Sequence, residues 1–439
     1  MVVRICGSLA DSDIPGTIVL LDDYTITASA RVDLPAHNFP ITIKGATKET
    51  KLIFAPTTIG ESAQQLAFHG DTTLDHLTFR TESTSKLDYI YACGNKFTIG
   101  RDVTTSAKFS LPNLVGGDYR AAVVNTDLTI LSGTWYAVYV GSFREGHTGT
   151  AKVTIDGATI QNNIRGLYEK TATGDFIIDL KNTTFKSCYP SYQGNVSGTT
   201  TVILREGVKG TINSGNHNGG TVSGLVTVIL AGVDLTQITL GHGAQKDKLV
   251  YTEGEATPIE GFSCYGIDTD TTVTLTSDLT VETITGKGEV ILNGFALNGI
   301  TADVEKVSLR ANAEGLYFIG NFAGAEGMTH GIALSVTNEN PEAKDNTGSL
   351  YTVSQNSVLV KDILKSDGAD MVIYARGYLK SADGTVVYGQ TVSVTFRQLV
   401  YAADRMWDSL TDAQQQTLKD LYNANKTLMA SWQIPNIKG

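Results

Sequence analysis

From Thr17 to about Ala302 the chain repeats one pattern. A short run alternates apolar and polar positions, breaks at a polar or glycine-containing bend, and resumes as a second short run. The units open with "LTILSGTWY" at Leu128, "VTIDGATIQ" at Val153, "FIIDLKNTTF" at Phe176 and "TVILREGVKGTI" at Thr201. They continue with "VTVILAGVDL" at Val226, "LVYTEGEATPI" at Leu249 and "VTLTSDLTV" at Val273. Their starts are about 23 to 25 residues apart, a period typical of stacked repeats. Alternation with a period of two predicts half-buried strands. One strand–bend–strand unit cannot bury its own inward face, so successive units must stack, aligning like strands into parallel sheets around one apolar core. "TIVLLDDYTITASARVDLP" and "ITIKGATKETKLIF" begin the series, and an insertion around "TTSAKFSLPNLVGGDY" disturbs it.

After Ala302 the rhythm changes. "VSLRANAEGLYFIGNF", "GIALSVTN", "SLYTVS", "SVLVKDIL", "MVIYARGYLKSADGTVVYG" and "TVSVTFRQL" predict the strands of a small antiparallel β-sandwich. Ala382–Thr385, "ADGT", predicts a hairpin turn, because Asp-Gly supplies the positive φ angles that a tight turn requires. Asn340-Pro341 predicts a loop. The tail "SLTDAQQQTLKDLYNANKTLMASW" predicts a helix, with Thr411 and Gln414 as a capping box and Leu418, Leu421, Tyr422 and Leu428 on one side.

The opening run "GTIVLLDDYTITASARVDLPAHNFPITIKGATKETKLIF" resembles the first coils of the pectin-lyase-like superfamily. That resemblance implies a right-handed parallel β-helix over roughly two-thirds of the chain. It is specific for fold and weak for chemistry, since the superfamily includes lyases, hydrolases, adhesins and phage tail fibres. The run from "SLRANAEGLYFIGNF" to "WDSLTDAQQQTLKDLYNANKTLMASWQIPNI" resembles a C-terminal module of large secreted proteins of gut clostridia, which implies an extracellular bacterial setting and no particular reaction. The expected architecture is all-β: a parallel β-helix of about ten to eleven coils at this period over residues 1–302, a sandwich over 303–400, and a helical segment over 401–439 packed on what precedes it.

Composition narrows the function. Only 18% of the 439 residues are charged, against 41% apolar, so Thr, Ser, Asn and Gly must cover the surface. The net charge of −11, with no Lys/Arg cluster, argues against nucleic acid and anionic membrane as partners. No run of about 18 apolar residues is long enough to span a bilayer. "MVVRICGSLADSD" lacks the apolar core of a signal peptide; with an extracellular setting, a removed signal segment is expected. Cys6, Cys93, Cys188 and Cys264 are far apart and read as packing residues rather than ligands.

Two enzyme readings can be tested by spacing. "NTD" (Asn125–Asp127) and the Gly-His-Gly at Gly241–Gly243 are signatures of polygalacturonases. Such a site needs carboxylates about 6.5–9.5 Å apart on adjacent coils, hence about one coil apart in sequence. One coil beyond Asp127 stands a single Asp156, the only Asp-Asp is Asp22-Asp23, and no Arg-Ile-Lys follows His242. His242 therefore reads as a turn residue. A pectate-lyase-like site needs clustered Asp/Glu for Ca²⁺ with a basic residue nearby. "LDHLTF" reads instead as a coil strand with Leu74, Leu77 and Phe79 buried and Asp75 and His76 at the bend or surface. "NSGNHNGG" (Asn213–Gly220) holds one His among Asn and Gly and reads as a loop. No catalytic residue, metal site or cofactor is assigned.

Aromatic residues carry the remaining signal. Aligning "SGTWY", "DGATI" and "KNTTF" puts Tyr136 level with Ile160 and Phe185, facing inward, and Trp135 level with Thr159 and Thr184, facing outward. An exposed Trp135 with Tyr139, Tyr168, Tyr189 and Tyr192 is then the expected ligand-binding platform. The expected function is a secreted or cell-surface, non-catalytic β-helix that is adhesin-like or binds a polysaccharide or surface glycan. The alternatives are a polysaccharide lyase or glycoside hydrolase, and a structural stalk of a larger surface protein. The oligomeric state is not legible.

Overall fold

The computed structural model describes residues 16–27, 31–55, 64–82, 88–324, 326–343, 350–353, 355–366 and 368–439. Cys6 and the opening segment lie outside them. The chain divides into two compact units, one running to Thr252 with Gly261–Tyr265, the other formed by Glu253–Glu260 and Gly266–Gly439.

The first unit is a parallel β-solenoid. One long sheet runs from Gly16–Leu20 through Ile41–Gly45, Thr72–Asp75 and Lys96–Ile99 on to Lys246–Tyr251. A four-stranded sheet joins Tyr24–Ile26, Lys51–Phe54, Leu77–Thr81 and Val103–Ala107. A third sheet runs from Arg31–Asp33 to Ile238–Gly241. The inward positions stack like on like. Leu74, Ile99, Ile130, Ile155, Leu180 and Leu204 pair in turn across the first sheet. Leu66, Ile90, Leu114, Val138, Ile164, Cys188 and Ile212 do the same across the third. All are essentially inaccessible to solvent. Each fully buried Leu or Ile contributes roughly 1.5–3 kcal/mol, and the column of them is the core. Leu77 and Phe79 are buried with Leu74, while His76 takes the bend with φ 47°.

The solenoid has about nine turns rather than ten to eleven. Ile41 pairs with Thr72 and Phe97 with Leu128, so two turns are six residues longer than the 25 separating Leu128 from Val153. The second sheet ends after four turns, where a one-residue bend replaces its strand. Gly133, Gly157, Asn182, Gly207 and Gly232 fill that bend with φ between 45° and 97°, a region open to glycine and tolerated by asparagine. A different column of glycines marks another corner. A Cβ on Gly174 would strike the Gly149 carbonyl, one on Gly198 the Gly174 carbonyl, and one on Gly224 the Gly198 carbonyl.

His147 lies beside that corner, fully buried. It stacks on Phe176 at 5.5 Å, its Nε2 donates to the Gly149 carbonyl at 3.0 Å, and its Nδ1 has no partner among the described residues. Burial lowers its pKa below the ordinary histidine value. A group depressed in the folded state contributes stability above its unfolded pKa, near 6.5, that is lost as pH falls through the folded value. Urea unfolding at pH 7 and pH 5 is therefore expected to show a stability loss on acidification that is smaller in His147→Gln. An equal loss in both proteins would remove His147 as its source.

In the second unit Gly254–Ala256, Thr271–Thr274 and Glu289–Ile291 pair in parallel, and Glu289–Ile291 pairs in parallel with Val386–Val394. From there the same sheet turns antiparallel through Ile373–Lys380, Thr329–Ser335 and Leu350–Val353. A second antiparallel sheet holds Asp303–Arg310, Gly315–Asn321 and Ser357–Val360. The change at Ala302 thus falls within a unit, because parallel strands from before it are hydrogen-bonded to one from after it. "ADGT" forms the expected hairpin, with Gly384 at φ 110°. "TVSVTFRQL" is not all strand: it ends at Val394, and Thr395 caps a helix over Phe396–Arg405 with Gln398 completing a capping box. The tail forms a helix over Asp412–Ala424 with the expected Thr411/Gln414 box, followed by short helices at Lys426–Met429 and Pro435–Lys438. Leu418 and Leu421 are buried in one cluster with Phe318, Ile332, Phe396 and Trp432, and Tyr422 and Leu428 pack against it.

Candidate functional site

The third sheet's outward face carries aromatic residues. Its inward row is aliphatic, so the alternate positions, Tyr91, Val115, Tyr139, Arg165 and Tyr189, align across neighbouring strands on the opposite face. Tyr91 and Tyr139 are nevertheless buried, at 0% and 4% exposure, because the loop leaving each turn folds back over them. Parallel backbone bonds continue into those loops, from Gly117 N to Gly141 O, Gly141 N to Gly166 O, Gln193 N to Tyr168 O and Asn218 N to Tyr192 O. The loops therefore stack in register and deliver one ring per turn.

Those rings form a ladder. Tyr119 and Phe143 lie 6.1 Å apart, Phe143 and Tyr168 4.5 Å, Tyr168 and Tyr192 4.9 Å, and Tyr192 and His217 5.2 Å. Phe143–Tyr168 and Tyr168–Tyr192 are parallel to within 7°. Tyr139 stands edge-on beneath Phe143 and Tyr168 at 4.9 and 5.7 Å, and Tyr189 meets His217 at 4.8 Å.

Three arginines are set among the rings. Arg165, 8% exposed, lies over Tyr192, Tyr139 and Tyr168 at 4.4, 5.3 and 5.8 Å and donates to the Tyr139 hydroxyl at 2.8 Å. The exposed Arg144 lies 5.0 Å over Tyr119 and donates to its hydroxyl at 2.6 Å. Arg31 pairs with Asp33 and Asp118, each at 2.7 Å, and lies over Tyr91. Burial opposes the Arg31 charge, but hydrogen bonds to Asp118 and Asp33 prevail and raise its pKa. Burial pushes the Tyr139 hydroxyl up to about 12 and raises Tyr89, Tyr91 and Tyr168 as well. Burial also pushes the Cys93 thiol up to about 12. These phenols and this thiol stay protonated near neutrality. The face can hydrogen-bond and attract π or anionic groups.

Of the expected platform residues, Tyr139, Tyr168, Tyr189 and Tyr192 come together here. Trp135 does not. It pairs with Ile160, and Thr134 pairs with Thr159, one residue off the expected alignment. The reason is local: the strand resumes one residue sooner after Gly133 than after Gly157. The indole therefore turns inward, 0% exposed, 6.2 Å from Phe79, with Nε1 donating to the Ser132 carbonyl at 3.0 Å. Tyr136, expected inward, is only half-buried.

Phe143, Tyr119, His217, Arg144 and Arg165 were missed, although Tyr119, Phe143, Tyr168, Tyr192 and His217 recur at intervals of 24 or 25 residues. His242 is exposed between strands, with Phe262 at 6.4 Å. Asp156 is engaged by Arg101 at 2.9 Å and Asn182 at 3.0 Å. Among the described residues, no three His, Cys, Asp or Glu side chains are grouped to hold a metal ion. Comparison with protein-family models, curated proteins and solved structures finds no match to this chain.

Proposed function

We propose that this is a secreted or cell-surface β-helix of pectin-lyase-like descent, with a C-terminal module resembling those of secreted clostridial proteins, which binds a polysaccharide without cleaving it. The observation that carries the reading is the ring ladder with Arg144 and Arg165. Ring faces in the ladder are occupied by one another, so a glycan meets edges: the hydroxyls of the half-buried Tyr119, Tyr168 and Tyr192 and the exposed Arg144 and His217. A polysaccharide lying along the solenoid would meet one such edge per turn, about every 4.8 Å. The same occupancy of ring faces favours a second reading, in which the ladder stabilises a stalk and binds nothing.

A glycan-array screen paired with a reducing-sugar assay separates these. The expected result is a retained glycan with no new reducing ends. Replacing both Tyr168 and Tyr192 by Phe keeps the stack but removes two hydroxyls, and is expected to weaken retention about tenfold with little change in stability. No retained glycan, or retention untouched by the double variant, would favour the stalk.

A further inference from the structure

The second unit contains a cleft that the ring ladder does not touch. Glu255, Thr272 and Glu289 sit side by side on three parallel strands, so the two glutamates lie two strand spacings apart, roughly 9 to 10 Å. The loop after Thr329–Ser335 brings Asn340 and Glu342 to the same cleft, tied down where Ala343 N–H donates to the Tyr388 hydroxyl at 2.9 Å. The resulting space is about 530 Å³, within the size range of small-molecule sites.

Arg376 lines this cleft while only 3% exposed. A β-bulge places it: Arg376 pairs with Thr391 but Tyr378 with Tyr388, so Gly389 and Gln390 together oppose Gly377. Bulges of this kind re-aim side chains and are frequent beside functional sites. The Arg376 Nε donates to the Gly389 carbonyl at 3.0 Å, and the guanidinium lies 4.2 Å over the Tyr388 ring. Among the described residues it makes no ion pair, and its terminal nitrogens have no protein acceptor. Burial lowers its pKa, opposed by Tyr388, Glu289 and Glu342 at longer range. A buried guanidinium with open terminal donors matches a carboxylate in geometry and charge. A plain anion would face three glutamates, and a plain cation would leave Arg376 unmatched.

We propose that this cleft binds an α-amino acid with a basic side chain, its carboxylate on Arg376 and its two cationic groups among Glu255, Glu289 and Glu342. The site is independent of the glycan reading and stands or falls separately. Isothermal titration of the full chain with lysine, arginine, leucine, glutamate and cadaverine (lysine without its carboxylate) tests it. Lysine and arginine are expected to bind at least about tenfold more tightly than the other three, since each unmatched charge removes a charge-assisted hydrogen bond. Arg376→Met is expected to weaken lysine binding by a similar factor. Glu342→Gln, at the half-buried rim, is expected to do the same without moving the melting temperature, so the proposal does not depend on how well Arg376→Met folds. Cadaverine binding as tightly as lysine, no binding by any of the five, or lysine affinity unchanged in Glu342→Gln would overturn the proposal. So would release of reducing ends from a polysaccharide that disappears in Glu289→Gln, which would make the cleft a glycosidase site.

Discussion

Trp135→Ala is expected to lower the unfolding free energy by about 3–5 kcal/mol, the range for removing a large buried aromatic. The indole is fully buried, meets Phe79, and is anchored by its hydrogen bond to Ser132. Its neighbours are held by parallel strands on both sides and cannot collapse into the vacated space, which places the loss toward the upper part of the range. Urea denaturation followed by far-ultraviolet circular dichroism measures it. The difference in fluorescence between the parent and the variant should be the blue-shifted emission of a buried indole, unaltered by any glycan that binds. A loss under about 1 kcal/mol, or a red-shifted difference spectrum, would put Trp135 on the surface.

Gly174→Val should be nearly as damaging, by roughly 3 kcal/mol, although the residue has no side chain to lose. The added Cβ would meet the Gly149 carbonyl, which is backbone and is itself held by the hydrogen bond from Asp175 N at 2.9 Å. A flexible side chain could swing aside; this obstacle cannot. Gly198→Val should behave alike for the same reason, against the Gly174 carbonyl. Thr173→Val, on the exposed neighbouring position of the same corner, serves as the control and should change stability by less than about 0.5 kcal/mol. A Gly174 variant as stable as that control would mean the corner can open, and that its glycines are not set by contact between turns.

The features legible in the sequence are those that depend on neighbouring residues alone. Alternation in "VTIDGATI" and "FIIDLKN" announces a strand with one apolar face, and Asp383-Gly384 and the Thr411/Gln414 box announce a hairpin and a helix start. What could not be read depends on how far apart two local signals fall. The strand resumes one residue sooner after Gly133 than after Gly157, and that single residue carries Trp135 from the expected outward face to the core. The ring ladder was half visible: Tyr168 and Tyr192 were expected on the platform and Tyr119, Phe143 and His217 were not, because all five sit in loops whose course is set by backbone bonds to the next turn rather than by strand alternation. The helix over Phe396–Arg405 carried its own Thr395/Gln398 signal, masked by the β-branched run "TVSVT" before it. The cleft around Arg376 was invisible, since Glu255 and Arg376 are 121 positions apart in the chain.

The corner glycines and the ladder repeat once per turn, and this makes the length of the solenoid editable in whole copies. Excising residues 150–174 would join Gly149 to Asp175, which already lie against each other through a backbone hydrogen bond. Ile130 would then adjoin Leu180, and Phe143 would meet Tyr192, contacts of the same kind as those removed. Tandem duplication of that stretch would add a turn by the same logic. A shorter insertion adds no coil: it is taken up in the loops between strands. The turns from Ile41 to Thr72 and from Phe97 to Leu128 are six residues longer than the turn from Leu128 to Val153 and still keep their strands in register.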